Sequence, residues 1–379
     1  MRIFLLILIA FSYSVSLVQA QEDKVITDAS TETITTVEVI APSKKKKKKT
    51  RWNKRKKRKA QENQTAATFE VVNAGDVDRI KNMGKDSLDY YQKNEAGETV
   101  LTLAIQKQDA QIVEALVENA VINHKNTAGE TPLTLAIKGG NAEIIKLVSK
   151  RAKTALKNGL GETPLFLAVD LDDLYLLEEL IRKSAEINQK SNGISPLAKA
   201  VEANKPRTVA FLIKHGATIN LPNDNGETPL YIATKNGYDL VAAILVNKME
   251  DPTGAINWKT RIGTPLIHIA AEYSTPEIIR LLVNHGADTE TLDFMENTAL
   301  SIAAFTGNSP NVKALVQSNA NLNHQNIQGD TPLMLTTINS HEEAATLLLS
   351  SGADATIRNF MGYTTADYSA TTQGNKYPK

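Results

Sequence analysis

Apolar residues recur along this chain in paired short bursts. After Gly129 come Leu133, Leu135 and Ala136; after a polar step come Ile144, Ile145, Leu147 and Val148. Each burst has the spacing of one helix face, so the pattern predicts two short helices per unit. A motif opens each pair. It reads GETVL at Gly97, GETPL at Gly129, Gly161 and Gly226, GISPL at Gly193 and GDTPL at Gly329. Worn copies stand at Ile262 (IGTPL), Glu296 (ENTAL) and Gly362 (GYTTA). Its hydroxyl residues are Thr99, Thr131, Thr163, Ser195, Thr228, Thr264, Thr298, Thr331 and Thr364, spaced by 32, 32, 32, 33, 36, 34, 33 and 33.

Each letter of the motif has a physical reason. Gly129 can take the positive φ that ends a tight turn. The Thr131 hydroxyl can accept from an orphan N–H of the first helical turn. Pro132 suits the first helical position, where no N–H is missed. The segments KHGA at Lys214 and NHGA at Asn284 predict second helices closed by Gly216 and Gly286. One such hairpin cannot bury its apolar face alone, so neighbours must stack.

A period near 33 carrying T-P-L-x-x-A resembles the ankyrin-repeat family, from about Phe69 to about Tyr368. The resemblance implies an all-α ankyrin-repeat solenoid of helix-turn-helix repeats with short β-hairpin loops, preceded by a disordered basic arm. The divisions expected are a signal peptide at 1–20, a disordered linker at 21–64, a degenerate N-terminal capping repeat at 65–96, eight repeats at 97–361, and a partial C-terminal cap and tail at 362–379. Lys248 to Arg261 lengthens the fifth repeat and is expected to form a surface loop. The family usually places His after T-P-L. Here that place reads Thr102, Thr134, Phe166, Ala198, Tyr231, Ile267, Ser301 and Met334, with His268 one residue late and not a replacement.

Charge splits the chain. The formal net charge is +1, yet Lys44 to Lys59 holds 13 basic residues and no acid, while Gln61 onward holds 28 basic and 37 acidic residues, a net of −9. Self-repulsion in the run predicts an extended segment. Lys44, Lys45, Lys46, Lys47, Lys48, Lys49, Arg51, Lys54, Arg55, Lys56, Lys57, Arg58 and Lys59 are the candidate contacts to anionic lipid, nucleic acid or an acidic polymer. A bare tether and a nuclear-targeting signal are the other readings of the run. With no Cys there is no disulfide or thiolate site.

Residues 1 to 20 carry Arg2, an apolar run from Ile3 to Phe11 and a small-residue end at Ala20, the form of a cleaved export signal. The expected location is periplasmic or secreted; the alternative is an uncleaved membrane anchor.

The catalytic search finds little. His341-Glu342-Glu343 lacks a second His for HExxH. His124, His215, His285 and His324 fall at repeated structural places. Glu98, Glu130, Glu162 and Glu227 recur once per repeat and are expected to form a solvated acidic ladder. No enzyme activity, cofactor, metal or small-molecule substrate is expected.

Binding is better supported. By the resemblance, partners meet the hairpin tips and the exposed side of the first helices. In the first half those places are mostly polar, with Asp224 and Asn225, Gln106 and Lys138 among them. In the second half they become Tyr273, Phe294, Met295, Phe305, Ile327, Ile338, Phe360 and Met361. Aromatics and Met are enriched at interface cores. In the competing arrangement successive tips cover one another, or Phe294 and Phe360 fold back on their own hairpins. The expected function is an exported, non-catalytic scaffold binding an unidentified protein. Alternatives are a secreted effector that engages host proteins, with the arm as a nuclear signal, and an envelope enzyme, for which no motif speaks.

Overall fold

The computed structural model describes residues 44–83 and 88–372. The expected signal peptide, the linker before Lys44 and the tail after Thr372 lie outside the described residues. The chain divides after Lys59, and each part is described by itself.

From Ala60 onward the molecule is two rows of short helices. First helices are Val100–Gln106, Pro132–Gly139, Pro164–Ala168, Pro196–Glu202, Pro229–Lys235, Leu266–Tyr273, Ala299–Thr306 and Pro332–Ile338. Second helices include Ala110–Val117, Ala142–Ser149, Leu174–Arg182, Pro206–Lys214, Asp239–Lys248, Pro276–Asn284, Ser309–Gln317 and Glu342–Ser350. First helices pack on the first helices of neighbouring repeats, and most second helices pack on second helices, Leu174–Arg182 standing off from its neighbours in that row. Between the rows lies one continuous core, with Leu101, Ile105, Ile112, Leu116, Leu133, Ile144, Leu165 and Leu197 all fully buried. Each such side chain contributes about 1.5–3 kcal/mol. The array closes at Thr365–Thr372.

Local chemistry sets the helix ends. Thr131 Oγ1 accepts from the Thr134 N–H, and the Thr134 hydroxyl accepts from the Thr131 N–H, which makes a capping box. Thr163, Ser195, Thr228, Thr298 and Thr331 cap their helices in the same way from one side. Asp109, Asn141, Asp173 and Thr275 cap second helices. At the far end of Pro206–Lys214, Gly216 donates to Ile213 O and Ala217 to Leu212 O, with Gly216 at φ 95°. That is a Schellman closure, and Gly286 and Ala287 repeat it.

Four features depart from the sequence reading. Among the described residues the hairpins contain no strand, only isolated bridges at Ser191–Ile194 and Lys259–Pro265. Each hairpin is instead a turn held by an Asn or Asp: Asn126 Oδ1 accepts from the Glu130 N–H at 2.9 Å, and Asn94, Asn158, Asn223, Asp293, Asn326 and Asn359 do the same.

The basic run, expected as extended chain, is helical within Lys44–Ala74. No Gly or Pro interrupts that stretch, and its Lys, Arg, Gln and Ala residues are good helix formers. The long insertion is more than a loop: Thr253–Ile256 forms a helical turn and buries Ala255 and Ile256.

The motif at Ile262 is read one residue out of register. The turn runs from Thr260 to Gly263, with Gly263 at φ +85°. The next helix takes Pro265 as its N-cap, without a side-chain bond. His268, not Ile267, therefore occupies the family's His place. It is 2% exposed, and its Nε2 donates to Asn297 O of the next repeat at 2.8 Å.

Candidate functional site: the hairpin tips of the second half

Four pairs of consecutive tips are joined by backbone hydrogen bonds. Thr127 N donates to Ala96 O, Asp224 N to Gly193 O, Ile327 N to Met295 O and Phe360 N to Gln328 O. Side chains at the tips are therefore held in a row. Phe294 is 73% exposed, Phe360 74% and Met361 68%, while Ile327 is about half exposed and Met295 half-buried. Neither Phe is folded away. Phe360 lies over Gly329, where an added Cβ would stand 2.9 Å from its ring, and yet the ring remains open to solvent.

On the first helices, Tyr273 and Phe305 are exposed and Ile338 is half-buried. With the corrected register, Phe305 aligns with Glu272, and Tyr273 stands one residue further on. The Tyr273 hydroxyl is pushed up to about 12, first by its hydrogen bond to the Glu272 carboxylate and then by burial. The register also adds a residue that the sequence reading missed. Ile262, equivalent to Met295 and Met361, is 64% exposed. The signal for it was Gly263, the turn glycine, rather than Thr264.

Ile262 opens onto a groove lined by Tyr231, Trp258, Ile269 and Tyr273. The Tyr231 and Trp258 rings are 5.2 Å apart, with Lys235 Nζ over Tyr231. Exposed apolar side chains thus recur from Ile262, beside this groove, to the tips at Phe294, Ile327, Phe360 and Met361. In the first half the exposed tip apolar is Leu160, between polar neighbours.

The recurrent carboxylates hold hairpins together. Glu130, expected to be solvated, is buried; it accepts from Lys138 Nζ at 2.6 Å and Thr134 Oγ1 at 2.6 Å. Lys138 also reaches Glu162 at 3.7 Å. Glu98 accepts from Asn94 and Gln106, and Glu227 from Asn223. Asp330, at the same place, is raised above the usual carboxylate range by burial, with Asn359 and Tyr368 bonding it. Two histidines tie each hairpin to the one before it in a comparable way: His124 donates to Gly97 O and His324 to Glu296 O, both at 2.8 Å. Among the described residues no group of acidic and His side chains is placed to hold a metal, and no helix is long and apolar enough to cross a membrane.

In the basic run, Arg51, Lys54, Arg55, Lys56, Lys57, Arg58 and Lys59 are exposed, on the helix that begins at Lys44. Trp52 is exposed too, with Lys56 Nζ 5.2 Å from its ring centroid.

Comparison with known proteins supports the architecture. A family model described as ankyrin repeats (3 copies) matches residues 69–158, 101–191, 146–223, 165–256 and 267–359. The B-cell lymphoma 3 protein homolog of Mus musculus is 33% identical over 113 residues, covering 30% of this chain and 25% of that protein. Human NF-kappa-B inhibitor alpha is 29% identical over 137 residues, covering 35% and 43%. The E3 ubiquitin-protein ligase KEG of Arabidopsis thaliana is 29% identical over 143 residues, covering 36% and 9%. The matches span less than half the length of each of these relatives. The crystal structure of the ankyrin repeat domain of Bcl-3 superposes with a TM-score of 0.50 at 23% identity, over 56% of this chain and 99% of that one, a likeness of fold. Stacked repeats of this kind present an extended surface to other proteins, and with the motif, the paired helices and the family match in agreement, this chain belongs to the ankyrin-repeat family.

Proposed function

We propose that the protein is an exported, non-catalytic scaffold whose array binds a protein partner along the apolar stripe of its second half. The observation that carries this reading is the row of Phe294, Ile327, Phe360 and Met361, held side by side and left exposed. A contiguous exposed apolar patch is characteristic of an interaction site. Tyr273, Phe305, Ile262, Met295 and Ile338 extend the contact, with Phe294 and Phe360 as anchors. The basic helix at Lys44–Lys59 adds a salt-sensitive grip on an anionic surface or polymer.

Affinity capture with the full chain, repeated with Phe294→Ala/Phe360→Ala, tests the array's part. A protein retained by the wild type and lost by a double variant that still melts normally supports the stripe; identical captures from both would overturn it. Export predicts that protein from its native host begins at Gln21, so N-terminal sequencing that finds Met1 or Arg2 would count against a cleaved signal.

A further inference from the structure

We propose that the basic helix engages double-stranded nucleic acid, lying in the major groove and neutralising phosphates on both walls. This rests on the reading of that helix as an electrostatic grip and names its partner.

The first observation is charge density. Thirteen cations in 16 residues, on a helix rising about 1.5 Å per residue, give one charge per about 1.8 Å. Duplex DNA carries one charge per about 1.7 Å of axis. The second is distribution. Residues on a helix turn by about 100° each, so Arg51, Lys54, Arg55, Lys56, Lys57, Arg58 and Lys59 leave no sector wider than about 100° without a cation. A helix lying on a flat bilayer turns much of that charge away from the lipid. In a groove about 12 Å wide, phosphates flank it on both sides.

The third observation is what the helix lacks. Helices that lie in a membrane surface bury an apolar face. From Arg51 to Ala60 the apolar residues are Trp52 and Ala60, and Lys56 Nζ stands over the Trp52 ring, 5.2 Å from its centroid, so no apolar face forms. The contact is with phosphates, so binding is independent of base sequence. Duplex nucleic acid occurs on both sides of a cell boundary, so the inference does not depend on export.

The test uses the full chain with three probes: a DNA duplex of about 24 base pairs, one of its single strands, and phosphatidylcholine vesicles containing about a third phosphatidylserine. Salt is varied around physiological strength. Duplex binding should be at least about tenfold tighter than binding to either other probe, with a log–log salt slope of about −6 or steeper. Asn53→Pro keeps all 13 cations and breaks the helix. It should weaken duplex binding by about tenfold, leave vesicle binding unchanged, and lower helicity measured by circular dichroism. Replacing the seven cations from Arg51 to Lys59 with Gln should weaken duplex binding by at least about tenfold and flatten the salt slope by about half, since Lys44 to Lys49 remain. Vesicles or single strand binding as tightly as duplex, or an Asn53→Pro protein that binds duplex normally, would overturn the groove assignment alone. Binding to no probe would overturn the electrostatic grip as well.

Discussion

His268 is buried without a partner for its Nδ1. Burial lowers its pKa below the usual imidazole range, only partly offset by the bond to Asn297 O and by Asp293. The unfolded chain then takes up the proton more readily than the native one, so stability falls as pH drops below about 6.5. His124 shifts in the same direction, through burial and then Lys93. Buried Asp330, whose pKa is raised, works against the trend as pH falls. The melting-temperature difference between neutral and mildly acidic buffer should shrink in His268→Gln; an unchanged difference would show that the imidazole does not titrate on unfolding.

Glu130 gives a second test at this scale. Replacing it with Ala removes the carboxylate to which Thr134 and Lys138 donate and should cost about 2 kcal/mol of stability. Partner affinity should be unaffected, since Glu130 lies away from the second-half tips. These two residues also show the limit of letter-by-letter alignment. The hydroxyl in T-P-L was legible as a cap, but a Thr one place early at Thr264 concealed the register that Gly263 reveals.

At the scale of the element, the paired helices were legible because apolar spacing, Thr caps and closing glycines agree. The hairpins were less so. Their recurrent Asn or Asp, four residues before the Glu place, stands in plain sequence, yet its role depends on a side chain folding back onto its own turn. The insertion and the basic run departed from expectation for different reasons. Ala255 and Ile256 carry enough apolar surface to join the core, and helix propensity in the run holds against like-charge repulsion.

Neighbouring repeats are also joined by polar bonds that no local pattern signals. Buried Asn311, on a second helix, donates from Nδ2 to the carbonyls of Ala270, Ala271 and Ser274 in the preceding repeat. Asn311→Ala should destabilise the protein by about 2 kcal/mol, and because repeats are stabilised by their neighbours, protection from hydrogen exchange should fall in both repeats. Loss confined to Ser309–Gln317 would show that the bond does not couple them.

Across the whole chain, an array of net −9 follows a run of 13 cations, and the array itself changes from polar to apolar tips along its length. The period made the fold readable, because nine copies of one turn motif leave stacking as the way to bury the helices between them. The stripe was readable too, because tips recur at fixed places, but its exposure was not: whether Phe360 covers a neighbour or faces solvent depends on the space over Gly329. Exposing such groups costs about 25 cal/mol per Å² relative to burying them, which favours a covered state.

The most direct test of the stripe is to measure melting temperature and partner affinity together on Phe294→Ala and Phe360→Ala. Each substitution should weaken partner binding by about 2 kcal/mol and leave the melting temperature nearly unchanged, since both rings lie outside the core. A lowered melting temperature with undiminished affinity would contradict the account and make these residues part of the packing.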